Sequence, residues 1–545
     1  MARSAKRSAA DARKAAKKRD ATARDGEPAS APSSPTPPPR PLGDRLRPWV
    51  LAAVSAVLAF LGFAGFGIWP LAFVAFVPLL FALDDAKERR ARRALQIGFF
   101  FGFIAQWGGY YWLVTMLDNF SGFSTPLCIL FASILIAYTA GGFTIFSVIW
   151  AKGTERGWSP TLVAVCAFLA AEYVYPLLFP FYYGASFHNE PILLQTADLG
   201  GPLMQSALAI SVNAAIFEVA RALIRKERVP RAAPAAVVAF VAFTLVYGAA
   251  RMSSVDADVA SAPKVLVGVV QANMGLLEKR DDPWEGHRRH LDQSLELEST
   301  VHPDLLVWPE SAYTWFLPQG VRNVKRTIMG RVSTPVLFGG LQQREVDGVD
   351  RHFNTAFVTN GEGDLLGSYD KTYLLAFGEY LPFGEMFPQL YDISRHSGHF
   401  TPGNHVHPLP FRDYRLTTLI CYEDILPSFV RRAVSEGNPH LLVNVTNDAW
   451  FGDTHEPWIH FALAKFRAVE HHRYLVRSTN SGVSGIIDPV GRVVTHSKTF
   501  TRENLDARVA MLQGHTLYGL VGDWPGWLAI AGSLGMLVRR ARRTT

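Results

Sequence analysis

Thr417-Thr418-Leu419-Ile420-Cys421-Tyr422-Glu423-Asp424 is a short β-branched, apolar run that stops at a cysteine and two acids. Such a run reads as a buried strand ending on chemistry-bearing side chains, and strand ends are where a layered α/β scaffold displays its functional groups. A second segment has the same form: Leu305-Leu306-Val307-Trp308-Pro309-Glu310 carries an apolar strand into a proline and then a carboxylate. Further short β-rich runs lie at 265–270, 336–338, 441–445 and 485–487, with helical stretches at 287–299 and 458–476, and Asn360-Gly361 reads as a hairpin turn. Strands alternating with helices predict a layered α/β domain over residues 252–522.

Outward from this region the chain changes solvent. Of its 545 residues 49% are apolar and 19% charged, a balance that fits neither a disordered chain nor an ordinary soluble enzyme. Apolar runs occupy 50–64, 69–83, 95–116, 126–150, 161–179, 203–224, 234–250 and 524–538. The first two are joined only by Gly65-Phe66-Gly67-Ile68 and are read as two spans. Lys87, Arg89, Arg90, Arg92 and Arg93 follow the second run, Lys152 and Arg156 the fourth, and Arg225, Lys226, Arg228 and Arg231 the sixth. Arg539, Arg540, Arg542 and Arg543 follow the last, while loops 117–125 and 181–202 contain no Lys or Arg. Eight spans with both termini in the cytoplasm put every basic loop on one side, and removing one span breaks the alternation. The expected architecture is a multi-pass α-helical membrane bundle. Residues 1–47 form a disordered basic Pro/Ser-rich tail, 48–251 carry seven spans, and 523–545 carry the eighth span and a basic tail. Residues 252–522 are then extracytoplasmic. The net charge of +7 is spent on tails and loops, so it marks membrane orientation and not a nucleic-acid partner.

Cys128 and Cys166 sit in apolar runs and read as buried small hydrophobes. Cys421 has polar neighbours. A thiol attacks as the thiolate and needs a base or a nearby cation. Glu310 supplies a carboxylate, and Tyr369-Asp370-Lys371, with Glu379 eight positions on, supplies an ammonium able to lower the thiol pKa and hold an oxyanion. Cysteine, carboxylate and lysine together are the parts of an acyl-transfer site. No metal-ligand spacing is found among the 16 His, and His471-His472 reads as a helix-surface pair. Glu172 and Glu218 are carboxylates inside apolar runs. Glu218 near a span end is read as snorkelling, and Glu172 as facing the bundle or the site mouth. Leu374, Leu375, Phe377, Tyr380, Leu381, Phe383 and Phe387 form an apolar stretch around Glu379, read as a mobile arm over the site.

The segments Trp308–Ser311 (WPES), Asp370–Pro382 (DKTYLLAFGEYLP) and Ile420–Asp424 (ICYED) resemble the three signature segments of the nitrilase, or carbon-nitrogen hydrolase, superfamily. Combined with eight spans, they resemble the apolipoprotein N-acyltransferase family over roughly residues 48–540. Gln271-Ala272-Asn273, residues 444–452 and residues 477–482 are further similar stretches. The resemblance implies an αββα sandwich in which Glu310 is the general base, Lys371 holds the oxyanion and Cys421 is the nucleophile. Glu379, Tyr422 and Glu423 would support the site. It also implies a ping-pong transfer of a fatty acyl group from a membrane phospholipid to the α-amine of a diacylated apolipoprotein. That reaction needs no metal or cofactor and sits at the periplasmic face of a bacterial inner membrane. One departure stands out: where the family has a tryptophan nine residues after Gln-x-Asn, this chain has Arg280, and its nearest tryptophan is Trp284. Three rivals remain in view: a membrane-tethered amidase releasing its acyl group to water, a transporter, and a non-catalytic scaffold.

Overall fold

The computed structural model describes residues 42–85, 90–275, 282–376, 378–381, 383–384, 386–387, 389, 391 and 398–540. Contacts divide the chain into Met1–Leu46 and Arg47–Thr545. Of the first unit only residues 42–46 are described, and they are helical. Of the expected disordered tail over residues 1–47, residues 1–41 lie outside the described residues, and residues 42–47 are a correction: they are helical, forming the first turns of a helix that runs on into the first apolar run. Lys87, Arg89, Arg280, Phe377, Arg542 and Arg543 also lie outside the described residues. The site lies in the second unit.

Helices of eight residues or more in the N-terminal half are α1 (Leu42–Leu61), α2 (Val77–Asp84), α3 (Arg90–Tyr110), α4 (Leu113–Ser121), α5 (Thr125–Glu155), α6 (Pro160–Val174), α7 (Leu203–Arg225) and α8 (Ala232–Ser261). Among the described residues α5, α7 and α8 are long and apolar enough to cross a membrane. Trp69–Asp84, α6 and a C-terminal helix over Trp524–Val538 are shorter apolar stretches. Leu130 and Ile134 of α5 and Val238 and Val246 of α8 point outward, exposed, as side chains do when the surrounding solvent is lipid. The second apolar run is interrupted: Trp69–Phe73 is a tight 3₁₀ turn, and only eight residues of α2 follow. The chain reverses before it at Gly65 (φ 96°) and Gly67 (φ 75°). A Cβ at Gly65 would come within 2.8 Å of Ile459, so the turn has room for glycine alone.

Two carboxylates in these helices have structural partners. Glu218 is buried, and its Oε1 accepts from Ser159 Oγ (2.9 Å) and Thr161 N (2.8 Å). It caps the start of α6, so the snorkelling expectation is corrected: an otherwise orphan N–H at the helix start and the Ser159 hydroxyl satisfy it inside the protein. Glu172 Oε1 accepts from Tyr183 N at 2.7 Å, beside an apolar cavity lined by Phe143, Phe168 and Phe181.

From residue 264 the pattern becomes β. One sheet runs β13-β1-β2-β4-β5-β6, with β3 paired to β4; its strands are β1 (Lys264–Gln271), β2 (Leu305–Val307), β3 (Tyr313–Pro318), β4 (Val336–Val346), β5 (Val349–Thr359), β6 (Leu365–Asp370) and β13 (Glu503–Ala510). The other runs β12-β11-β10-β9-β8-β7 through β7 (Leu409–Phe411), β8 (Tyr414–Ile420), β9 (Leu441–Thr446), β10 (Leu475–Thr479), β11 (Gly485–Ile487) and β12 (Val493–His496). The central strands are parallel: β1 with β2, β2 with β4, β8 with β9 and β9 with β10. They are buried on both faces, as crossover helices require. Alternation then sorts the side chains. Val265, Val267 and Val269 meet Leu441, Val443 and Val445 between the sheets. Leu306, Trp308 and Val336 pack outward with Leu297 of α9 (Pro283–Thr300). Leu419, Leu442 and Leu475 pack outward with residues of α10 (Pro427–Gly437) and α11 (Glu456–His471), in one cluster that continues into the apolar helices. The layers are helix, sheet, sheet, helix.

The expected helix over 458–476 is too long. It ends at His471, His472 takes a left-handed φ of 50°, and Leu475–Thr479 pairs with β9. His471 is buried beside Tyr518, and His472 Nε2 lies 3.1 Å from Asp198, so the pair is not a helix-surface pair. The hairpin at Asn360-Gly361 forms between β5 and β6, with Asn360 Oδ1 accepting from Asp364 N at 2.8 Å.

One close approach fixes Glu310. A Cβ on Gly339 of β4 would meet Glu310 Cα at 2.6 Å and Pro309 O at 2.7 Å. Both are backbone atoms that cannot swing aside. Gly339→Ala is therefore expected to destabilise by about 1–3 kcal/mol, the range for overpacking, and to lower kcat/KM at least about tenfold by moving the carboxylate. Thermal melting and steady-state acyl transfer measure the two effects.

Candidate active site

The three candidate residues leave three strand ends at one edge of the sandwich. Glu310 follows β2, Lys371 follows β6 and Cys421 follows β8. Cys421 has a left-handed φ of 54°, a strained conformation for a residue with a Cβ. The kink turns the chain from β8 into the short helical turn Cys421–Ile425.

Glu423 holds that kink. It is fully buried. Its Oε2 accepts from Ile420 N (2.8 Å), and its Oε1 accepts from Tyr369 Oη (2.8 Å), Thr372 N (2.8 Å) and Tyr373 N (2.9 Å). One carboxyl group thereby ties the end of β8 to the segment that carries Lys371. Burial pushes this carboxyl up to about 7, against the N–H groups of Ile420 and Tyr373 and the charge of Lys371.

Lys371 is 1% exposed. Its Nζ lies 2.7 Å from Glu379 Oε2 and 3.5 Å from Glu310 Oε1. Burial pulls its pKa down, but Glu379 and Glu310 more than reverse this and hold it well above the usual lysine range. The ammonium is therefore permanent at any working pH. Asn354 of β5 completes the bracket: its Nδ2 donates to Glu310 Oε1 (2.7 Å) and Glu379 Oε1 (2.9 Å). Glu379 Oε2 also accepts from Leu375 N at 2.9 Å.

The Cys421 thiol is raised by burial first and by Glu310 second, and is lowered by Lys371 and by a hydrogen bond with Thr446. The thiol form dominates at rest, so attack needs a base at hand. Tyr422 faces the other way: its hydroxyl donates to Leu178 O (3.2 Å), and its ring meets Phe179 and Tyr373. Cys421 and Tyr422 open on a cavity whose far wall includes Tyr110, Trp112, Phe179 and Pro180. Glu310, Lys371 and Glu379 thus form one ion-paired group, Glu423 links the Lys371 segment to the kink at Cys421, and Tyr422 shares the cavity with Cys421.

Beneath the kink lies a cluster that the motifs contain but residue-by-residue reading passed over. Arg477, with no exposed surface, donates to Asp424 Oδ2 (2.6 Å), Asn444 Oδ1 (2.7 Å) and Asp448 Oδ2 (3.0 Å). His460 bridges Asp424 (2.8 Å) and Asp448 (3.1 Å). Burial and Arg477 would depress this imidazole, yet the two aspartates hold it up at about 10. Asn444 Nδ2 donates to Cys421 O at 2.9 Å. Asp448, Glu456 and His460 present ligand-type atoms within 4.8 Å of one another, but Arg477 and the imidazolium already supply the positive charge that Asp448 and Asp424 need, so those two aspartates are satisfied by ion pairs. The sequence signal for Arg477 and Asn444 was a charged or amide side chain inside an otherwise apolar strand, which is costly unless satisfied. Trp284, by contrast, is exposed and packs at a tilt against Trp315 with ring centroids 4.4 Å apart, and it does not line the thiol cavity.

This edge of the sandwich has the parts of a thiol-dependent acyl-transfer site. Residues 266–513 match the family model described as carbon-nitrogen hydrolase, which fixes the class of the C-terminal region. Residues 55–215 match the model described as apolipoprotein N-acyltransferase N-terminal domain. The apolipoprotein N-acyltransferase of Geobacter metallireducens is 30% identical over 476 residues, covering 86% of this chain and 90% of that protein. The protein of the same name from Bradyrhizobium diazoefficiens is 32% identical over 445 residues, covering 76% and 79%. The solved structure of Saccharomyces cerevisiae Nit3, a member of branch 10 of the nitrilase superfamily, is 16% identical with a TM-score of 0.35, covering 45% of this chain and 90% of that one. The fold assignment stands on the family model and not on this last likeness. The chain belongs to the apolipoprotein N-acyltransferase family.

Glu423→Gln keeps shape and burial but turns an NH₂ toward N–H donors. A buried donor left unmet costs about 1–3 kcal/mol, and here the loss falls on the tie between Cys421 and Lys371. The melting temperature is expected to fall by several degrees, and the rate of acyl-enzyme formation by about 100-fold or more. Calorimetry and a rapid-quench assay would read the two.

Proposed function

We propose that Cys421 carries a fatty acyl group as a thioester between a membrane phospholipid and the N-terminal α-amine of a diacylglyceryl-cysteine. As a member of its family the chain is an acyltransferase of lipoprotein biosynthesis. The observation that carries the residue assignment is the buried Lys371 ammonium held by Glu310 and Glu379, beside a thiol on a strained kink.

Glu310 takes the proton of the Cys421 thiol as sulfur attacks an ester carbonyl of the phospholipid. The carbonyl oxygen gains charge, and Lys371 offsets it without itself moving a proton. The C–O bond breaks, the departing alkoxide takes the proton from Glu310, and a lysophospholipid leaves. In the second half the acceptor amine attacks the thioester and gives up a proton to Glu310. The C–S bond breaks, and the proton returns to sulfur with formation of the amide. Glu379 fixes Lys371 through the 2.7 Å ion pair, Glu423 fixes the kink, and Tyr422 packs against Phe179 at the cavity wall.

Both substrates have their chains in a bilayer, so the site must meet one. Residues 48–251 and 523–545 make the membrane frame and 252–522 the catalytic domain. Eight spans keep the basic loops in the cytoplasm with both termini, and the domain faces the periplasmic side of the inner membrane. The three helices of membrane-crossing length and the outward apolar side chains of α5 and α8 support this frame. Phe383 and Phe387, both exposed, support the reading of the stretch around Glu379 as an arm that touches lipid; core packing does not describe them.

The deciding experiment supplies the full-length enzyme in nanodiscs with labelled phospholipid and a diacylated lipopeptide. Transfer of label into a base-stable amide on the lipopeptide is expected. Release of free fatty acid with no amide would instead make the chain a membrane-bound amidase.

A further inference from the structure

The acyl-transfer steps use Glu310, Lys371 and Cys421 and leave one part of the wall of the Cys421 cavity without a task. That wall is made by Trp112, between α3 and α4, and by Glu456 at the first turn of α11. Around them the lining is apolar: Phe179, Leu375, Ile425, Phe451, Ile459 and Leu463. Glu456 is 7% exposed and Trp112 is 2% exposed.

The neighbouring polar groups are satisfied. Both ring nitrogens of His460 bond to aspartates, and the Tyr422 hydroxyl bonds to Leu178 O. Trp112 Nε1 and Glu456 Oε2, however, are buried with no hydrogen-bond partner among the described residues. Buried polar atoms are nearly always paired, and each exception calls for a reason. Two of them on side chains that line one cavity with the Cys421 thiol point to a site prepared for a guest.

Their chemistry narrows the guest. An indole N–H can only donate. Burial above all, then Asp448, pushes the Glu456 carboxyl well above the usual carboxylate range, against the opposing pull of His460 and Arg477, which favours the protonated form that can donate an O–H. Two donors in an apolar cleft match an oxygen that only accepts and sits on an apolar stem. Among lipid groups the ester carbonyl has that character, whereas an amine or an ammonium does not.

We propose that Trp112 and Glu456 grip the second, unreacted ester carbonyl of a diacyl lipid while Cys421 attacks the first. This rests on the reading of Cys421 as acyl carrier and adds a specificity to it: the donor is recognised as a lipid with two adjacent esters. Trp112 and Glu456 are specificity-determining residues and not part of the bond-making set.

The test compares donors with the full-length enzyme in nanodiscs. One is a diester phospholipid. The others are its two mono-ether analogues, one for each glycerol position, so that whichever ester reacts, its neighbour keeps its chain and loses its carbonyl. One analogue has lost the reacting ester and gives no acyl-enzyme, which identifies the reacting position. Wild-type enzyme is expected to label Cys421 from the diester with kcat/KM about tenfold above the other, reactive analogue, one hydrogen-bonded group's worth, mostly through KM. Glu456→Leu and Trp112→Phe bring that ratio close to one, and Glu456→Gln, which still donates and accepts, keeps it. Equal use of ester and ether donors by the wild type overturns the proposal, leaving the wall to a bound water, and this arm depends on no variant folding. A preference that persists in both Glu456→Leu and Trp112→Phe overturns it as well. Failure of every donor to label Cys421 overturns the carrier reading together with this one, which separates the two failures.

Discussion

The Glu423 carboxyl group is the joint on which the site depends. It accepts from the end of β8 through Ile420 N and from the start of the Lys371 segment through Thr372 N and Tyr373 N. These two strands belong to different sheets. Without that joint, sheet packing alone would fix Cys421 and Lys371 only to the tolerance of two sliding layers. With it, the kink at Cys421 and the ammonium at Lys371 share one buried anchor. Lys371 in turn draws Glu310 and Glu379 to itself, and Asn354 binds those two carboxylates to each other. The geometry of four catalytic-type groups is thus set by hydrogen bonds to charged groups in a dry interior, where each is strong.

The second constraint comes from below. Arg477 and His460 lie against Asp424 and Asp448, and Asn444 ties the same cluster to the Cys421 carbonyl. Two cations and two anions balance there with little exposed surface. Such an arrangement is worth more as a positioning device than as net stability. Its cost is covered by the apolar layer around it, which runs from the outer face of the β8–β10 sheet into the apolar helices. The helical frame is therefore more than an anchor: Tyr110, Trp112, Phe179 and Pro180 come from it and close the cavity over the thiol. A soluble relative of the sandwich would need some other wall.

Sequence reading caught what local chemistry writes plainly. An apolar strand stopping at Glu310 or at Cys421 is legible because burial ends where a charged or reactive side chain begins. The parallel core strands β1, β2 and β9 were legible from β-branched runs. Less legible was β10: Tyr474-Leu475-Val476 continues the apolar rhythm of α11, and only the left-handed turn at His472 separates them. The later strands β12 and β13 and the hairpin pair β5 and β6 carry mixed burial that no short window resolves. Asn354 went unseen because a single amide in a strand looks like a surface residue until the strand is known to be buried. Glu218 was read as reaching for water when its partners are the Ser159 hydroxyl and the Thr161 N–H, both far off in sequence, and the break after Trp69–Phe73 falls where Pro78 opens α2, a residue that a continuous helix over 69–83 could not hold in its interior.

The most direct test is intact and peptide-level mass spectrometry of the enzyme after exposure to phospholipid without acceptor. The account predicts a single fatty-acyl increment, removed by hydroxylamine and mapped to the peptide containing Cys421. An acyl group on another residue, or one that persists when Cys421 is replaced by alanine, would contradict it.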